Sequence, residues 1–173
     1  ADILNKTLVV DLGAPSNSSF NGQLYYTQLT SSGVSTQEIQ YSDVTSVVGT
    51  GLNDMISGSL SANTLNGGAG DDIIFGSGGD DTLIGGDGTD WVLFSPLTRA
   101  YASNPYTSAV VVDLSDTTDS TATASFDTQG FEHVYGTGLA DTIRGNSDAN
   151  ILAGGSGNDT LDGGAGNDDL FGG

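Results

Sequence analysis

Cysteine is absent from these 173 residues, and methionine and tryptophan occur once each. Without thiols the chain can form neither disulfides nor thiolate zinc sites, so stability must come from packing or from metal bound by oxygen. Positive charge is almost as scarce. Lys6, Arg99 and Arg144 stand against 22 acidic residues, of which only Glu38 and Glu132 are glutamates, and the net charge is −19. With no basic patch to displace phosphate counterions, nucleic acid and anionic membrane surfaces are excluded as partners. No apolar run approaches the length needed to cross a bilayer, so no membrane span is expected. The sequence has no HExxH, no GxSxG and no cysteine nucleophile, and His133 is its only histidine. His133 follows Glu132 and reads as an exposed or loosely bonded side chain rather than a base. The chain does not start with methionine and stops at Phe171-Gly172-Gly173, where a tenth repeat would begin, which predicts a fragment of a longer protein.

What the chain does have is glycine, at 27 positions, in a fixed frame. Glycines at 49, 58, 67, 76 and 85, and again at 136, 145, 154 and 163, open units of nine residues. The sixth place holds Asp54, Asn63, Asp72, Asp81 and Asp90, then Asp141, Asn150, Asp159 and Asp168. The eighth place holds Ile56, Leu65, Ile74, Leu83 and Val92, then Ile143, Leu152, Leu161 and Leu170. A unit this short cannot fold alone, so the period predicts a stack of supersecondary units. An acidic chain rich in Gly, Ser and Thr is also compatible with a solvated, disordered segment, but the unbroken aliphatic spacing argues for a packed core once a cation is present. Apolar content of 36% suffices for a narrow one.

Each nonad offers a glycine-rich loop and a final triplet, such as Ile73-Ile74-Phe75, that suits a short strand. One loop and one strand reverse the chain once, so two nonads, eighteen residues, close a flattened coil. Strands one coil apart then lie parallel at roughly 4.8 Å, with the eighth-place side chain inward. Val47 and Val134, nine residues before Ile56 and Ile143, extend the same column. The expected fold is therefore all-β, a parallel β-solenoid.

The two runs belong to an imperfect duplication. Leu8-Val9-Val10-Asp11-Leu12 matches Val110-Val111-Val112-Asp113-Leu114, and VTSVVGTG from Val44 matches FEHVYGTG from Phe131. Residues 1–97 are read as the first copy and 98–173 as the second. Segments 13–43 and 94–130, which hold Pro15, Pro96 and Pro105, read as irregular coils with long loops. Tyr25, Tyr26, Tyr41, Tyr101 and Tyr106 within them could form a carbohydrate-contacting surface, toward an acidic or neutral polysaccharide.

Coiling puts the acids in register. Asp54 stacks on Asp72 and Asp72 on Asp90 along one edge, with Asn63 on Asp81 along the other. In the second copy Asp141 meets Asp159 and Asn150 meets Asp168. Such columns repel unless a cation lies between them, and two side chains plus glycine-loop carbonyls can supply the six to eight oxygens that Ca²⁺ takes. Magnesium demands tighter octahedral geometry, and zinc lacks soft ligands here. Paired aspartates could also serve a glycosidase, but every close pair recurs with the repeat, which suits a structural ligand better than one active site. The GTGLxD segments at Gly49 and Gly136 imitate the start of a dinucleotide fingerprint, yet no long helix follows either.

Segments such as Gly67-Gly68-Ala69-Gly70-Asp71-Asp72 and Gly154-Gly155-Ser156-Gly157-Asn158-Asp159 resemble the GGxGxDxUx nonapeptides of RTX proteins, the haemolysin-type calcium-binding repeats. Gly85-Gly86-Asp87-Gly88 and Gly163-Gly164-Ala165-Gly166 follow the same pattern, and Gly76-Ser77-Gly78-Gly79-Asp80-Asp81 keeps its fourth glycine and its acid. The resemblance implies a right-handed parallel β-roll with calcium between loops, and type I secretion from Gram-negative bacteria to the outside of the cell. It carries the ligand role to Asp54, Asp72, Asp81, Asp90, Asp141, Asp159 and Asp168, to Gly67, Gly68, Gly70, Gly76, Gly78, Gly85, Gly86 and Gly88, and to Gly154, Gly155, Gly157, Gly163, Gly164 and Gly166. Asn63 and Asn150 replace the acid, and Leu52, Ser61, Leu139 and Asp148 replace the fourth glycine, so those loops should bind weakly or not at all. About five ions are expected, bringing −19 to about −9. The expected function is that of a noncatalytic module attached to a secreted enzyme, or a segment of a surface adhesin or surface-layer protein.

Overall fold

The computed structural model describes residues 8–11, 22–30, 33–41, 45–59, 61–77, 79, 81–94, 109–115 and 127–173. Gly78, Tyr101, Tyr106, the three prolines and most of 94–130 lie outside them. The described residues are strands and turns with no helix, and together they form a parallel β-roll of about five turns.

Strands are numbered along the chain. One face stacks β1 (Leu8–Asp11), β5 (Met55–Ser57), β7 (Ile73–Phe75), β9 (Trp91–Leu93), β12 (His133–Tyr135), β14 (Ile151–Ala153) and β16 (Asp169–Phe171) in that order, all parallel. The opposite face is divided. There β4 (Ser46–Val48), β6 (Thr64–Ala69), β8 (Thr82–Asp87) and β11 (Asp127–Gln129) make one sheet, and β10 (Val111–Asp113), β13 (Thr142–Arg144) and β15 (Thr160–Asp162) make another. The first face thus runs unbroken through both arrays, because β12 pairs with β9 on one side and β14 on the other.

The pitch is the expected eighteen residues: Ile56 pairs with Ile74, Ile74 with Val92, and Leu65 with Leu83. That register stacks the eighth-place side chains in one column, where they face each other and shed water. Ile56, Leu65, Ile74, Leu83, Val92, Ile143 and Leu152 are fully buried, as is Val134, and Val47 and Leu161 pack against them. Leu170, in β16 at the end of the described sheet, is 46% exposed. Phe94, Val110, Val112, Leu114 and Phe131 fill the core where the arrays meet.

The two matched sequence segments pair alike: Val10 aligns with Ile56 and Val112 with Ile143. The two pairings fall on opposite faces of the roll. Segment 13–43 departs from the irregular coil expected of it. It contains an antiparallel hairpin, β2 (Gly22–Thr30) with β3 (Gly33–Tyr41), and β2 pairs antiparallel with β1. Its Leu, Tyr, Thr, Ile and Val content favours extended chain, and the two strands cover an edge that a solenoid would otherwise leave open.

Column position sets the cost of truncation. Leu83→Ala should lower stability in saturating calcium by about 2–5 kcal/mol, as cavities in packed cores do, whereas Leu170→Ala should cost far less. Guanidinium denaturation midpoints of the two variants would show the difference, and equal losses would contradict the burial order.

Candidate metal centre

The turns that lead from one face to the other align the sixth-place residues into two columns. Each backbone N–H in a column donates to the carboxylate one coil further on. Asp54 N donates to Asp72 Oδ1 at 2.8 Å, Asp72 N to Asp90 Oδ1 at 2.8 Å, and Asp90 N to Glu132 Oε2 at 2.7 Å. Asn150 N continues with Asp168 Oδ1 at 3.0 Å, and Asn150 Nδ2 reaches the Glu132 carbonyl at 2.8 Å. Along the other edge Asn63 N donates to Asp81 Oδ1 at 2.9 Å and Asp141 N to Asp159 Oδ1 at 2.9 Å. Every stacked pair expected from the sequence is brought together. The first column also gains a member that the nonad motif does not mark, Glu132.

The loops themselves fall into two kinds. Where the second place is Thr, Ser or Asn, the loop satisfies its own sixth-place oxygen. Thr50 donates from N and Oγ1 to Asp54 Oδ2 at 2.5 and 2.9 Å, Thr137 from N and Oγ1 to Asp141 Oδ2 at 2.6 and 3.0 Å, Ser59 N to Asn63 Oδ1 at 2.7 Å and Asn146 N to Asn150 Oδ1 at 2.9 Å. Where the second place is glycine, the second and fourth glycines take positive φ, as at Gly68 (109°) and Gly70 (112°), a conformation that L side chains rarely adopt. Gly86, Gly88, Gly155, Gly157, Gly164 and Gly166 do the same. The loop from Gly76 joins this kind despite its serine, since Ser77 lies at φ 69° and Gly79 at 106°.

In three of the glycine loops the second carboxylate oxygen is left over. Oδ2 of Asp72, Asp90 and Asp159 is buried and receives no hydrogen bond. Buried polar atoms are nearly always paired, so three orphans at equivalent positions point to a partner of another kind. The first-place glycines let other oxygens approach that atom closely. A Cβ on Gly67 would strike Asp72 Oδ2 and the Gly85 carbonyl oxygen, one on Gly85 would strike Asp90 Oδ2 and the Gly130 carbonyl oxygen, and those on Gly154 and Gly163 would strike Asp159 Oδ2 and Asp168 Oδ2. Anionic and carbonyl oxygens thus crowd together at these loops. The repeat family described as RTX calcium-binding nonapeptide repeat (4 copies) matches residues 48–83, 57–92 and 135–170. The chain carries RTX calcium-binding nonapeptide repeats. No curated protein matches it.

The RTX loops fit calcium by their donor set. Among the described residues no three His, Asp or Glu side chains converge on one point; the oxygens that do approach one another are single carboxylates and backbone carbonyls, the hard ligands that calcium accepts. The carboxylates are also poised for exchange of a proton for a metal. Burial lifts Asp72 and Asp90 from the ordinary 3.8 to about 6, against the lowering effect of the N–H groups of Asp54 and Asp72, and neighbouring carboxylates add to the rise.

His133 is buried rather than exposed, its ring 4.6 Å from that of Trp91, and its Nδ1 accepts the Ile151 N–H at 3.0 Å. Its role in the RTX roll is to join coils. Glu132 could have been found by running the nonad frame backwards, since it stands nine residues before Asp141 as Val134 stands nine before Ile143.

A methyl group at Gly67 should remove bound calcium, whereas one at Gly51, which would meet nothing within 4 Å, should not. Titration calorimetry of Gly67→Ala and Gly51→Ala should show fewer ions only for the first. A second outcome concerns pH. Because the folded carboxylates of Asp72 and Asp90 hold protons that the unfolded chain releases near 3.8, their stabilisation of the metal-free roll is complete below 3.8 and lost as pH rises through about 6. Strand content of the chelated protein should be greater at pH 4 than at pH 7, and calcium affinity should fall as pH drops below about 6; circular dichroism and calorimetry across that window would register both.

Proposed function

We propose that the chain is a noncatalytic calcium-binding module of a secreted bacterial protein, which folds on calcium outside the cell and there stabilises, or helps export, an attached enzyme. The buried Oδ2 atoms of Asp72, Asp90 and Asp159, each without a donor and each close against a first-place glycine, carry this reading. An ion at such a point satisfies the orphan oxygen and neutralises the stacked acids. The loops opened by Gly67, Gly76, Gly85, Gly154 and Gly163 are the firmest sites, with ligands from the sixth-place Asp and from glycine carbonyls. Those of Asp54, Asn63, Asp141 and Asn150 are weaker, since their loops already bond the oxygen a cation would need.

Binding restricted to the folded state stabilises it by about 2.7 kcal/mol per ion at a hundredfold excess over the dissociation constant. Several such ions exceed the marginal stability of an ordinary domain. The roll would therefore stay unfolded where calcium is scarce, in a state suited to passage through a type I secretion channel, and fold on release. A surface adhesin or surface-layer protein is the second reading of the parent, with polysaccharide as its partner. It draws on the hairpin, whose two strands carry Tyr25, Tyr26 and Tyr41 at one end of the sheet.

Chelation should abolish most of the far-ultraviolet strand signal and expand the chain in small-angle scattering, and calcium should restore both. A strand signal that survives chelator unchanged at neutral pH would refute the switch.

A further inference from the structure

The two arrays meet at a loop outside the matched repeats, yet that loop reproduces the features of a glycine loop. Strand β11 aligns Gln129 with Ile84, so Gly130 follows it as Gly85 follows Ile84. His133 pairs with Trp91, which sets Glu132 level with Asp90. Five steps of chain separate Gly85 from Asp90, but only two separate Gly130 from Glu132. A shortened loop must bring its acid in from a different distance, and here stands one of two glutamates in a chain otherwise acidic through aspartate. Its extra methylene lets Oε2 take the Asp90 N–H at 2.7 Å, as an aspartate does in the regular coils.

Other oxygens gather at the same level. Asp90 is fully buried and its Oδ2 has no donor. A Cβ on Gly85 would strike that atom and the Gly130 carbonyl oxygen, so the two oxygens lie on the same side of Gly85. Gly130 itself lies at φ 69°, and Asn150 of the second array holds the Glu132 carbonyl. We propose that Asp90 Oδ2, the Gly130 carbonyl and the Glu132 carboxylate bind a divalent cation of calcium's class at the junction, clamping the second array onto the first. Water completes the oxygen shell, since the shortened loop offers fewer carbonyls than a nine-residue one. The clamp acts where it is needed, because the opposite face is interrupted at this level and only the β9–β12 ladder continues.

The proposal rests on the calcium reading above, and the test separates the two. Glu132→Gln keeps an oxygen to accept the Asp90 N–H but removes the charge. In the full chain, calorimetry should count one calcium ion fewer than in wild type, with the strand signal retained at saturating calcium. The same count in both proteins overturns the junction site. If the variant does not fold, crystals of wild type grown in calcium decide: an ion about 2.3–2.6 Å from the Gly130 carbonyl, Asp90 and Glu132 supports the clamp, and an empty junction beside occupied loops overturns it. Wild-type protein that binds no calcium at all overturns the module reading itself, and the clamp with it.

Discussion

Parallel coiling at a fixed pitch puts like charges on top of one another, and the rest of this molecule answers that constraint. The ladder that buries Ile56, Ile74 and Val92 in one column necessarily stacks Asp54, Asp72 and Asp90 in another. Half of each carboxylate is accommodated by the chain, through the N–H of the preceding coil. The other half, at Asp72, Asp90 and Asp159, receives no donor. Packing and metal affinity are thus two results of one register, and neither can change without the other.

The loops show how a repeat can keep its geometry while losing its chemistry. Threonine in second place, as at Thr50 and Thr137, ties the carboxylate into the loop with its amide and hydroxyl. That arrangement is self-contained, so such coils can stand at the start of an array, where there is less of a stack to cooperate with. Glycine in second and fourth place gives up this bond and adopts positive φ instead, leaving an oxygen that only an outside partner can satisfy. Second-place threonine and second-place glycine thus leave the sixth-place carboxylate in different states, bonded within its loop in the one case and not in the other.

Most of this was legible beforehand because a nonapeptide repeat writes both its spacing and its inward residues into the sequence. The eighteen-residue pitch, the buried column and the paired acids follow from the frame alone. Three features escaped it. The hairpin of 22–41 lies where the period is silent, and its alternating composition was outweighed by its Ser and Asn. Leu170 obeys the motif but is exposed at the end of the described sheet. Glu132 belongs to the frame, yet its nonad has lost its opening glycines, so only the pairing of β11 and β12 reveals that it continues the acid column.

The half-coil phase difference between the copies has a consequence for symmetry. Since Ile56 and Ile143 sit on opposite faces, the duplication relates its halves by a screw operation rather than a simple translation. Outward positions of the two matched strand pairs therefore project from opposite flanks of the rod.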